Sequence, residues 1–99
     1  MAYPSLVFND VLVAIAGPDA HLAGELRAAL ISGAAGYADL LARARCDANW
    51  QVAARRLAGL AASFSATELQ LAAQEALAGV PGDPVALRRI QQAIAHLQL

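Results

Sequence analysis

Residues 50–69 read WQVAARRLAGLAASFSATEL, and this stretch decides the fold. Trp50, Ala53, Leu57, Leu60 and Phe64 step by 3, 4, 3 and 4, the spacing of one apolar helix face in a bundle. At the end of that face Ser65 and Glu68 match the S-x-x-E pattern of a capping box. Phe64 and Leu69 sit where a hydrophobic staple would. One helix is therefore expected to close near Phe64 and the next to begin at Ala66.

Working outward, the second of these helices runs to about residue 78, with Gly79 as its stop. In the loop Val80-Pro81-Gly82-Asp83-Pro84, Asp83 is the expected N-cap and Pro84 the first helical residue. Leu87, Ile90, Ile94 and Leu97 then form the seam of a last helix. Upstream, Asp47 is expected to cap the helix of Trp50 after a very short turn, which makes the preceding helix its antiparallel neighbour. That preceding helix starts after the N-cap Asp19 and spans residues 20–46, with Leu22, Leu26, Ala29, Gly33, Tyr37, Leu40 and Ala44 on one face. Gly24, Gly33 and Gly36 inside it each cost up to about 1 kcal/mol against Ala, and so mark places where a neighbouring helix comes close. Tyr3-Pro4-Ser5 opens a short apolar segment over residues 6–16, ended by Gly17-Pro18. The expectation is one all-α domain over residues 1–99. Its architecture is an antiparallel four-helix bundle with a short additional N-terminal helix packed across one end.

Composition agrees and excludes several function classes. Among 99 residues are twenty-six alanines and fifteen leucines, with 59% apolar and 15% charged residues, enough apolar surface to offset the entropy of ordering. The longest runs free of Asp, Glu, Lys and Arg have eleven residues, residues 28–38 and 57–67, against the roughly 20 a spanning helix needs. No membrane partner is expected. A net charge of −1 and seven scattered arginines provide no basic field for nucleic acid. All seven basic residues are arginine; there is no lysine. A single cysteine, Cys46, cannot form an internal disulfide, and no signal peptide precedes the first helix, which points to a cytoplasmic protein. The absence of any linker points to a stand-alone one.

Ordinary catalysis finds little support. The groups able to work near neutral pH are His21, His96 and Cys46. His21 and Glu25, spaced i, i+4, can share a metal only with further ligands that the neighbourhood lacks, so they read as a solvated first turn. His96, three residues from the C-terminus, reads as a frayed surface residue. Cys46 reads as small, inert and partly buried. No Gly-rich loop follows a strand, and no serine has a base partner nearby. No enzyme, cofactor or metal is implied.

One face of the Trp50 helix is more informative. Arg55, Ala58, Gly59 and Ala62 lie 3, 4 and 7 residues apart and share a face distinct from the Leu57 seam. That face carries one long cation over a floor with almost no side chains, and its mid-helix glycine has an energetic cost. Two readings fit: a face that packs against another helix and needs small residues, or an exposed, shallow docking surface centred on Arg55.

Residues 55–66, Arg55-Arg56-Leu57-Ala58-Gly59-Leu60-Ala61 followed by Ala62-Ser63-Phe64-Ser65-Ala66, resemble the histidine phosphotransfer (HPt) domain family. That family's signature is H-x-L-K-G-[SA]-A, often followed within a few residues by a phenylalanine and a glycine. The resemblance covers nearly the whole chain: the Gly17-Pro18-Asp19 start, the long second helix and the Asp47 to Trp50 turn fall where the family has such features. It implies the same bundle, with a response-regulator receiver domain or a histidine-kinase module as partner.

Two departures bear on mechanism. Arg55 stands at the position of the phosphorylated histidine and Ala58 at that of the accompanying lysine. A neutral imidazole offers a lone pair to phosphorus; a guanidinium stays protonated and has none. His21 lies eighteen residues along the neighbouring helix from the level of Arg55, roughly 27 Å at 1.5 Å per residue, too far to substitute. The resemblance therefore implies a module that docks a receiver through Arg55, Arg56, Ala58, Gly59 and Ala62 without carrying phosphate. Two other readings stand beside it. One is a homo-oligomerisation module in which Ile31, Ala35, Ala38 and Ala42 widen the small-residue patch. The other is a phosphate carrier using His21 or His96.

Overall fold

Apolar segments punctuated by Gly, Pro and Asp form five α-helices in the computed structural model, which describes residues 4–98 and, for side chains, residues 8–98. They are α1 (Pro4–Ala16), α2 (Ala20–Arg43), α3 (Asp47–Ser63), α4 (Thr67–Ala78) and α5 (Pro84–His96), with no strand among the described residues. The all-α expectation holds. Helix α1 begins two residues earlier than expected, and Tyr3, placed by the sequence at its opening, lies outside the described residues.

Two of the expected caps form. The Asp19 carboxylate accepts from the Leu22 amide at 3.0 Å, and the Asp83 carboxylate accepts from the Val85 amide at 3.0 Å with Pro84 as the first residue of α5. Each satisfies one of the amides a helix start leaves without a partner. Two others do not form. Asp47 is the first residue of α3, and the cap position falls on Cys46, whose side chain makes no cap bond. Helix α2 ends at Arg43, three residues short of expectation, because Ala44 turns to extended backbone (ψ 132°) and is buried. The Ser65–Glu68 capping box is also absent. Ser65 takes a left-handed conformation (φ 56°), Ala66 is the cap residue without a side-chain bond, and α4 starts at Thr67. The start of α4 thus lies one residue later, and the Phe64–Leu69 pair no longer has the staple spacing. Glu68 engages His96 instead, with Nδ1 2.7 Å from Oε2.

The core is built around Trp50, Leu57, Leu41, Leu69, Ile90, Phe8 and Leu12, all fully buried. Alanines fill the space between them, eleven of them in the same cluster, so helices approach closely where the large side chains leave room. The Trp50 indole N–H donates to the Ala76 carbonyl at 2.7 Å and so keeps no buried polar atom unpaired. Helix α2 packs on α3, α3 on α4, α4 on α5, and α5 back on α2; α1 lies on α2 and touches α4. The ion pairs Glu75–Arg89 and Glu68–His96 step in opposite directions along α4 and α5, the signature of an antiparallel pair. At one end Arg27 gathers three elements. Its guanidinium lies 5.1 Å from the Phe8 ring centroid and donates to the Leu97 carbonyl at 2.7 Å and to Asn9 Oδ1.

The inner face of α2 differs from the expected one. Leu30, Ala34 and Leu41 are buried, whereas Leu22, Ala29, Gly33 and Leu40 are exposed. The face is turned only in part, since Ala44 is buried and Leu26 and Tyr37 pack against the core as expected. On α3 the seam holds at Trp50, Ala53 and Leu57, while Leu60 and Phe64 are half-buried and Ala54 and Ala61 complete the buried stripe. On α5, Ile90 and Leu97 are buried, and Leu87 and Ile94 are packed at the edge of the core. No helix among the described residues is long and apolar enough to cross a membrane.

Candidate functional site

Helix α3 is clamped on its inner side by Trp50, Ala53, Ala54, Leu57 and Ala61, and this fixes what its outer side presents. Arg55, Gly59 and Ala62 are exposed and Ala58 is half-buried against the core. A Cβ added to Gly59 would meet nothing within 4 Å, so among the described residues no neighbouring helix uses its missing side chain. The two readings of this face are thereby separated: it is open, and Ala58 alone borders the core. Arg55 makes no hydrogen bond or ion pair among the described residues. The Ser63 hydroxyl donates to the Gly59 carbonyl at 3.0 Å, which turns a polar group of the floor inward on its own helix.

The close approach expected at three glycines occurs at one. A Cβ on Gly33 would sit 3.3 Å from Leu60 Cδ2, while Gly24 and Gly36 face open space. With Gly33 level with Leu60, antiparallel counting puts Arg55 level with Ala38, one residue from the expected Asp39.

Arg56, grouped with Arg55 by sequence, is about 100° around the helix and lines a groove against α2 with Leu40 and Arg43. Three residues before Gly59, it stands at the edge of the floor, on the side of that groove. The alanines expected to widen that floor do not reach it. Ala35, Ala38 and Ala42 line a hollow with Gln91 and Ile94 of α5, on the other side of α2. Leu40 and Val52, both exposed, are the site-bearing residues that periodicity missed. Periodicity sets Leu40 on the core face of α2, and Val52 lies between Arg55 and Arg56 around the helix, which is the one signal that places it outside.

The titratable residues lie elsewhere. His21 is exposed and pairs with Glu25, Nε2 to Oε1 2.8 Å. His96 is not frayed: it bridges the end of α5 to the start of α4 through Glu68. Cys46, expected to be partly buried, is exposed; it has extended backbone itself and stands in the short connection from α2 to α3, directly before the first residue of α3. Among the described residues no three His, Cys, Asp or Glu side chains gather as a metal would require.

No protein-family model matches the chain, and no curated protein or solved structure matches it either.

Proposed function

We propose that the chain is a cytoplasmic HPt-like signalling module that binds a response-regulator receiver domain, or a related kinase module, without carrying phosphate itself. In this reading α2 to α5 form an antiparallel four-helix bundle, with α1 across one end, and the docking face is the open side of α3. The observation that carries the reading is the combination of Arg55 with an open Gly59 floor: a guanidinium with no partner among the described residues, beside a glycine flanked by alanines. Such a floor lets another backbone approach closely. The guanidinium's fork of donors suits the carboxylates of a receiver's acidic pocket, and a single long cation on a flat apolar patch has the makings of a binding hot spot. With arginine where the family has its acceptor, the module acts by occupancy, sequestering a receiver or shielding its aspartyl phosphate.

The test combines binding and transfer. The protein is mixed with receiver domains from its own organism, phosphorylated and not, and both complex formation and phosphate are followed. Binding without transfer is expected, with affinity reduced about tenfold or more by Arg55→Ala. Label on this chain would replace the reading with that of a carrier using His21 or His96. A concentration-dependent mass with no receiver bound would replace it with self-association.

A further inference from the structure

The strongest feature outside the Arg55 face is the groove between α2 and α3 beside their connection. It has a volume of about 380 Å³ and is lined by Leu40, Arg43 and Ala44 on one side and Asn49, Val52, Ala53 and Arg56 on the other. Ala44 and Ala53 form a buried apolar floor, and above it Leu40 and Val52 remain 48% and 44% exposed. These two aliphatic side chains face water beside two guanidinium groups. Arg56 has no ion pair or hydrogen bond among the described residues, and Arg43 gives one nitrogen, Nη2, to Asp39 at 2.9 Å. A guanidinium has five N–H donors, so both arginines can still engage a carboxylate.

The charge distribution sharpens this. Residues 39–56 carry four arginines against two acids, net +2, whereas the rest of the chain carries three arginines against six acids, net −3. The groove therefore lies in a cationic stretch of a molecule whose net charge is −1, and exposed apolar side chains rimmed by cations call for a ligand of the complementary pattern. The groove is an open trough between two helices, whereas a small-molecule site buries most of its ligand. Its lining holds no aromatic ring on which a nucleic-acid base would stack. A trough of this kind fits the apolar side chains of a third helix with acidic residues along its flanks.

We propose that the α2–α3 groove is a docking site for an acidic amphipathic helix of a partner protein, with leucine-like side chains set between Leu40 and Val52 and carboxylates held by Arg43 and Arg56. The proposal goes beyond the receiver reading and does not rest on it, since Arg55 and the Gly59 floor take no part.

The test uses the full chain as bait for a displayed library of helical peptides with leucine fixed at i, i+4 and i+7 and flanking positions randomised. Asp and Glu are expected to be enriched at the flanks. The best acidic peptide should shift the amide resonances of Leu40, Arg43, Val52 and Arg56 saturably and bind about tenfold or more weakly to Arg56→Ala. In the double variant Arg43→Glu/Arg56→Glu, its helical circular dichroism unchanged, selection should enrich Lys and Arg instead. Three outcomes overturn the proposal: no acidic enrichment, shifts that map to another face, or a preference unchanged in the double variant. Displacement of the peptide by a short single-stranded oligonucleotide at equal concentration would also overturn it, as attraction of any polyanion. Arg55→Ala, which reads the receiver surface, should leave peptide binding intact, so each reading can fail alone.

Discussion

Leu60 Cδ2 lies 3.3 Å from the point that a Cβ on Gly33 would occupy, while Gly59, the residue next to Leu60, has only open space where its own Cβ would be. One glycine is there for a neighbour within the fold; the other has none. Gly59→Ala should therefore raise stability by about 0.5–1 kcal/mol, because alanine restricts the unfolded chain and favours helix at no steric cost. Gly33→Ala should gain less or lose, since Leu60 must give way. Urea unfolding of both variants checks the order. The same Gly59→Ala protein should bind a receiver more weakly if the floor is a docking surface, a stabilising change that harms binding.

Ser65 separates the two accounts of the α3–α4 junction. In a capping box its hydroxyl would be needed, and Ser65→Gly would be at best neutral. With φ at 56° and no cap bond, Ser65→Gly should instead stabilise by about 0.5–1 kcal/mol. Asp19→Ala and Asp83→Ala, which remove real caps, should each cost about 1 kcal/mol in the same unfolding experiment.

Trp50 joins the start of α3 to the end of α4 through its 2.7 Å bond to the Ala76 carbonyl. Trp50→Phe removes the donor, but Ala76 keeps a second partner in the Gly79 amide at 3.0 Å, so the loss should be about 2 kcal/mol. Trp50→Ala also opens a cavity in the core and should cost about 3–5 kcal/mol. Thermal unfolding distinguishes them, and equal losses would show that the ring which Phe retains contributes nothing.

Arg27 is the tie between α1, α2 and the end of α5. Arg27→Ala should speed amide hydrogen exchange in α1 and around Leu97 while α3 and α4 keep their protection. Uniform acceleration across all helices would mean that α1 unfolds only with the whole.

Arg55→His tests the docking reading by placing a nucleophile at this position. An imidazole nitrogen at this exposed position can accept the phosphoryl group of a bound receiver's aspartyl phosphate, the aspartate leaving as carboxylate. Acid-labile label on the variant is expected, with faster transfer in Arg55→His/Ala58→Lys, where a cation stands near the phosphoryl group. A double variant that takes no label from any receiver it binds would mean that the receiver's aspartate does not meet this face.

Much of the fold was legible because local chemistry decides it. Asp19, and Asp83 with Pro84, mark helix starts wherever the chain goes, since a carboxylate next to free amides needs no distant partner. Trp50, Ala53 and Leu57 were legible because large and small apolar residues at one spacing leave α3 one way to face inward. The inner face of α2 was not. Leu40 and Leu41 are equivalent to periodicity, alanines stand on every side of the helix, and only packing against α3 and α5 selects Leu41. The Ser65–Glu68 pattern failed for a related reason: Glu68 has a partner in His96, twenty-eight residues away, which no local pattern contains.

The candidate surface divides in the same way. The sequence alone determined that Arg55, Ala58, Gly59 and Ala62 share a face and that Arg55 has no chemistry as a nucleophile, because helical spacing and guanidinium basicity are local properties. Only the tertiary structure decided that this face is open, that Arg56 also lines a groove against α2, and that Leu40 and Val52 are exposed there. Exposure is set by which helices stand alongside, a relation among residues far apart in the chain, and an alanine-rich sequence leaves that choice to the packing of its few large side chains.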